Sequence, residues 1–138
     1  MRPALEGGEW VVVDRFLDSS LAYQGVARGL GIAEVRAINE FGTGGLMPDR
    51  TLLLRIDPAA GRARLQGRGE VADRLEREED AFFAAIAAAY DELAAAEPER
   101  IRVIDASLPP DDVAGAALNA IADLIEGLGG ANAEYQPA

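Results

Sequence analysis

The chain of 138 residues contains no cysteine, no histidine and no lysine. Without cysteine it has neither disulfides nor thiolate zinc ligands. Without histidine it lacks the commonest general base and the imidazole metal ligand. All 13 basic residues are arginine, set against 24 acidic ones, for a net charge of −11. That excess of negative charge argues against the basic surface by which nucleic-acid binders are recognised. No apolar run approaches the length of a membrane-spanning helix, and the polar opening from Arg2 to Glu9 lacks the pattern of a signal peptide. Neither nucleic acid nor a membrane is therefore expected as a partner, and residence in the cytoplasm fits. With 49% apolar and 27% charged residues, the composition is that of one folded domain with a modest core. Abundant alanine and arginine with no lysine matches the codon bias of a GC-rich genome, so arginine in place of lysine carries little chemical meaning by itself.

What is present is concentrated in Val11-Val12-Val13-Asp14-Arg15 and the stretch that follows, Phe16 to Gly25. A β-branched apolar run reads as a strand buried on both faces, as in a parallel sheet. Asp14 and Arg15 then fall at its carboxyl end, where open α/β sheets bind ligands. Arginine offers a planar fork of donors to phosphate oxygens, and aspartate can hold a hydrated Mg²⁺. Asp18 or Ser19 is placed to cap a following helix, on which Ser20 and Gln24 stand at i and i+4 and Tyr23 at i+3 of Ser20. An anion clamp followed by a helix presenting hydroxyl, phenol and amide points to a site for a small phosphorylated ligand.

The remaining elements alternate. Trp10–Asp14 reads as a strand and Ser19–Gly29 as a helix. A helix over Ile32–Phe41 would bury Val35, Ile38 and Phe41, and Gly44-Gly45 reads as a turn leading to Pro48. Thr51–Ile56 is a buried strand stopped by Asp57-Pro58, and a short helix spans Ala59–Gln66. Arg74–Ala96 is a long helix with Phe82, Phe83, Ile86, Tyr90 and Leu93 on its apolar face. Arg100–Asp105 is a strand, and a helix starts at Pro110 with Val113, Leu118, Ile121, Ala122 and Ile125 inward. Residues 127–138 read as a flexible Gly/Ala-rich tail. Strands alternating with helices predict an α/β fold with a parallel sheet and right-handed crossovers.

The wording Asp-Arg-Phe-Leu-Asp-Ser-Ser-Leu-Ala-Tyr-Gln-Gly over residues 14–25 closely resembles the Asp-Arg motif of bacterial thymidylate kinase. Arg2-Pro3-Ala4-Leu5, the passage from Asn39 to Thr51, the arginine-bearing stretch from Arg64 to Glu78, and Ile104-Asp105-Ala106-Ser107 resemble other segments of that family in order. The resemblance covers residues 1–126. It implies a three-layer P-loop nucleotide monophosphate kinase fold, a parallel sheet with helices on both faces. It also implies a sheet here missing the P-loop strand, since the sequence has no Gly-x-x-x-x-Gly-Lys-Ser/Thr. The chain thus reads as an N-terminally truncated member, and unpaired strand edges at about 1–3 kcal/mol per buried group would weaken it.

The family reaction is transfer of the γ-phosphoryl of Mg-ATP to dTMP, giving dTDP. By resemblance Arg15 grips the dTMP phosphate, Asp14 orders Mg²⁺ through water, and Ser20, Tyr23 and Gln24 line the thymidine pocket. An amide suits the thymine edge because it offers donor and acceptor together. Residues 61–74 resemble the lid, with Arg68 and then Arg64 as the catalytic arginine and Arg74 on the ATP side. On the residues alone those arginines read rather as a solvated face paired with Glu70, Asp73, Glu76 and Glu78. Ser107 and Leu108 resemble the loop beside the adenine, though Ala-Ser-Leu-Pro-Pro is also an ordinary strand-to-helix turn. Family members are homodimers. The isolated chain is expected to be inactive, the competing expectation being a non-catalytic nucleotide-binding remnant or a half that needs a complementing chain.

Overall fold

The computed structural model describes residues 1–57, 60–61 and 76–129. The chain divides into two units, Met1–Met47 and Pro48–Ala138. The first opens with helix α1 (Arg2–Glu6), which carries Pro3 in its first turn, where a missing N–H leaves no bond unmade. Gly8, at φ 77°, lets the chain turn, and the Glu9 N–H donates back to the Ala4 carbonyl at 2.9 Å.

Trp10–Asp14, expected as a strand, forms no ladder, and Val12 is 93% exposed. A β-branched run becomes a strand only where a neighbour supplies hydrogen bonds and cover. The ladder in this molecule joins other segments.

Helix α2 (Leu17–Ser20) begins before the position expected. Asp18 and Ser19 therefore lie inside its first turn rather than capping it. The Phe16 carbonyl instead accepts from the Ser19 and Ser20 N–H groups at 3.1 and 3.3 Å. Asp18, almost fully buried, still places its carboxylate beside the positive end of the helix.

From Leu21 to Ala27 the helix continues in the wider π form, which ends with Arg28 N–H donating to the Tyr23 carbonyl at 3.1 Å. Gly25 is buried where this segment meets the next helix. A Cβ there would lie 3.3 Å from the Ile32 Cα, so glycine permits the close approach.

Helix α3 (Ile32–Thr43) follows the expected span and two residues more. Gly44 in the left-handed region and Gly45 at φ 76° close it, with Gly45 N–H donating to the Glu40 carbonyl at 2.8 Å. Arg2 Nη2 reaches the same end, donating to the Thr43 and Gly44 carbonyls at 2.8 and 2.6 Å. Leu17, Leu21, Ala22 and Val35 form the core of this unit. Ile38 and Phe41, expected inside, are exposed, Phe41 by 93%. The α2–π segment covers only the stripe of α3 that carries Val35, too narrow to reach them.

The second unit holds the sheet. Strands β1 (Thr51–Arg55) and β2 (Ile101–Asp105) pair in parallel, Thr51 opposite Ile101 and Arg55 opposite Asp105. Helix α4 (Glu76–Ala96) joins them and packs on β2 through a stripe including Ile86, Ala89, Leu93 and Ala94. Phe83, placed inward by its spacing, is half exposed. β1 was expected to be buried on both faces, but alternates, with Leu52 and Leu54 exposed. Successive side chains point to opposite faces, and the described residues cover one of them.

The last helix is two helices, α5 (Pro110–Ala120) and α6 (Ala122–Gly129), separated where Ile121 leaves helical geometry at φ −118°. Gly127 to Gly129, expected in the tail, complete α6, and residues 130–138 lie outside the described residues. Arg50, just before β1, fastens this end. Its side chain is only 8% exposed, donating through Nη1 to the Glu99 carbonyl at 2.6 Å and through Nη2 to Asp123 Oδ2 at 2.5 Å.

Candidate functional site

In the first unit the chain bends at Asp14 and Arg15, and the bend rests on Arg15 itself. Its φ is 62°, the one positive φ at a non-glycine position among the described residues. A left-handed backbone conformation of this kind costs about 1–2 kcal/mol for an L-residue. Such strain persists where surrounding structure fixes it, and functional sites are where it gathers. Here the Arg15 Nη2 donates to the Tyr23 Oη at 2.5 Å, while its Cζ lies 4.7 Å from the centre of the Tyr23 ring. The guanidinium is thus held edge and face by one side chain eight residues on. One of its five N–H donors is used in that bond.

The other residues expected here fall close by in sequence and at different depths. Asp14 is exposed, Ser20 and Tyr23 are half-buried on the α2–π segment, and Gln24 is exposed. The structure brings Arg15 and Tyr23 into contact. Chemically the bend offers a cation with a fixed plane beside an exposed carboxylate, a combination suited to an oxyanion and its hydrated counter-cation. No group of three or more His, Cys, Asp or Glu side chains placed to hold a metal occurs among the described residues.

A concavity of about 520 Å³ lies in the other unit at the carboxyl ends of β1 and β2, lined by Arg55, Asp57, Val103, Asp105 and Ser107. Ser107, expected beside the adenine, lines this cavity, and Leu108 next to it in sequence is exposed. Asp105 Oδ1 accepts from the Ser107 N–H at 2.8 Å and from its Oγ at 2.5 Å, which fixes the loop after β2. Arg55 is turned to helix α4. Its Nε and Nη2 donate to the two carboxylate oxygens of Asp91 at 2.8 and 2.9 Å. That bond holds the Asp91 carboxyl below its ordinary range and raises the Arg55 guanidinium further. Arg55, Asp57 and Asp105 also line this cleft, and none of the three is among the expected site residues. The available signal was their place at the ends of two parallel strands, where such sheets present ligand clefts. Arg64, Arg68 and Arg74 lie outside the described residues.

Comparison with known proteins gives a family match over residues 1–116, to the model described as thymidylate kinase. The thymidylate kinase of Halorhodospira halophila is 49% identical over 125 residues, covering 91% of this chain and 58% of that protein. That of Alkalilimnicola ehrlichii is 47% identical over 123 residues, 89% of this chain and 57% of its own length. That of Rhizorhabdus wittichii is 46% identical over 127 residues, 91% and 61% respectively. The chain therefore spans somewhat over half the length of these curated relatives.

Proposed function

Because the chain belongs to the thymidylate kinase family, we propose that it carries the acceptor-binding part of a phosphoryl transferase that moves the γ-phosphoryl group of ATP to dTMP, giving dTDP. In this reading Arg15 binds the dTMP phosphate, and Ser20, Tyr23 and Gln24 face the nucleoside. Ser107 and Leu108 stand beside the ATP base, and the arginines at 64, 68 and 74 serve the transferring phosphoryl group. The enzyme works in the cytoplasm as a homodimer within a P-loop kinase fold whose sheet is flanked by helices on both faces.

The supporting observation is the Arg15 guanidinium, fixed on Tyr23 at the amino end of helix α2. Phosphoryl transfer asks little covalent chemistry of a protein; positioning and charge stabilisation carry the rate. A guanidinium held in one plane meets phosphate oxygens without first losing its own rotational freedom. Asp14, exposed at the same bend, is a fitting ligand for Mg²⁺, which keeps several waters and takes one or two carboxylates. When bound, the ion would neutralise phosphate charge, while Asp14 would hold its hydration shell.

The test is calorimetric titration of the chain with dTMP and with thymidine. A charged hydrogen bond to phosphate is worth about 1.5–3 kcal/mol. At about 1.4 kcal/mol per tenfold, dTMP should bind roughly 10- to 100-fold more tightly than thymidine. Arg15→Met should erase that preference and leave thymidine binding in place. Equal binding of the two ligands by the wild-type chain, or a preference that survives Arg15→Met, refutes the assignment.

A further inference from the structure

We propose that Tyr23 acts through Arg15, as the residue that positions the guanidinium for phosphate, so that its contribution falls on the phosphate and not on the nucleoside. This rests on the acceptor reading above and changes what Tyr23 does within it.

Three observations converge. First, Tyr23 makes two different contacts with one group, its hydroxyl accepting from Nη2 at 2.5 Å and its ring lying under Cζ at 4.7 Å. A guanidinium is planar, so a bond at one edge together with a ring against its central carbon leaves it little rotational freedom. Second, Arg15 is exposed and its backbone is left-handed, so the main chain alone does not bury or brace the side chain. A long, exposed arginine otherwise carries about 2 kcal/mol of rotamer entropy into any complex it forms. Third, Tyr23 sits on the π-helical segment, half-buried, with its neighbours Leu21, Ala22 and Gly25 packed in the core of that unit. The ring is therefore mounted on the firm part of the unit and the guanidinium on the exposed part. Restraint passes from the core, through the ring, to the phosphate grip.

Two substitutions separate the contacts. Tyr23→Phe keeps the ring and removes the bond, and Tyr23→Leu removes both. In titrations with dTMP and thymidine, Tyr23→Phe should weaken dTMP by roughly 3- to 10-fold, the size of one lost polar contact, and leave thymidine within twofold. Tyr23→Leu should weaken dTMP further. On an Arg15→Met background both substitutions should lose their effect on dTMP, because the group they position is gone. In the ligand-free chain, the Arg15 Nε–H resonance should be displaced by the ring in wild type and in Tyr23→Phe, and should relax to the ordinary arginine position in Tyr23→Leu.

An equal loss of dTMP and thymidine on Tyr23→Phe overturns the proposal in favour of direct nucleoside contact, and unchanged binding overturns it outright. Both outcomes leave the acceptor assignment standing provided that wild type still prefers dTMP over thymidine. Absence of that preference in wild type removes the acceptor assignment, and this proposal with it.

Discussion

The pair Arg55–Asp91 links the end of β1 to helix α4 across 36 residues of sequence, and its worth can be worked from its geometry. The bond is bidentate, at 2.8 and 2.9 Å, the strongest arrangement open to these two groups. Against that, the side chains remain 31% and 49% exposed, so water screens both charges. The expected contribution is accordingly that of a well-formed surface pair, about 0.5–1 kcal/mol, and not the several kcal/mol of a buried one.

The pH dependence follows from the direction of the Asp91 shift. Its folded carboxyl lies below the usual value, so the stabilisation is present above the unfolded carboxylate pKa, about 3.9, and disappears as pH falls through the lower folded value. Arg55 is shifted upward from a value already above any working pH, so it adds no slope between pH 2 and 8. Urea unfolding followed by far-ultraviolet circular dichroism at pH 7 should show Asp91→Asn destabilised by about 0.5–1 kcal/mol. Between pH 5 and pH 2 the variant should lose less stability than wild type, by the same amount. A double-mutant cycle with Arg55→Met should recover a coupling in that range, shrinking in about 1 M salt, where the Debye length is about 3 Å. A coupling of zero, or an Asp91→Asn variant as pH-sensitive as wild type, refutes the reasoning.

Two further outcomes are expected from the packing. Leu21 is fully buried in the first unit, so Leu21→Ala should cost about 2–5 kcal/mol and abolish or sharply broaden the unfolding transition reported by Trp10 fluorescence. A transition displaced by less than about 1 kcal/mol would mean that the site collapses around the cavity. Asp123→Ala leaves the buried Arg50 side chain with the Glu99 carbonyl as its remaining described partner and should cost about 1–2 kcal/mol by urea unfolding. Because the cost lies in the stranded cation, adding Arg50→Met should recover part of it. A double variant no better than Asp123→Ala would show that Asp123 acts otherwise.

Periodicity located the helices well, because an amphipathic stripe is a local property. Ile32 to Thr43 and Glu76 to Ala96 appear where three- and four-residue spacing put them, and the glycines at 44 and 45 end α3 as left-handed residues should. That the sheet is parallel was equally legible from strands alternating with helices. Trp10–Asp14 was not. Its composition suits a strand, but a strand is made by its neighbour, and a neighbour is a tertiary fact. The exposure of Ile38 and Phe41 has the same origin, since spacing assigns a face to them but not a covering element. The change to π-helix at Leu21 carries no residue signature, and neither does the break at Ile121, which has neither glycine nor proline beside it. At the candidate site the residue types could be read from the motif. The contact between Arg15 and Tyr23 could not, because it depends on a backbone conformation that nothing in an arginine side chain announces.

That conformation has a consequence for anyone improving the molecule's heat resistance. Glycine at position 15 would relieve about 1–2 kcal/mol of left-handed strain. Against that stand about 0.5–1 kcal/mol for the looser unfolded chain and the loss of both Tyr23 contacts, so the net change in stability is small. A selection scored on melting temperature alone would be nearly blind to the exchange and would not register the loss of the cation.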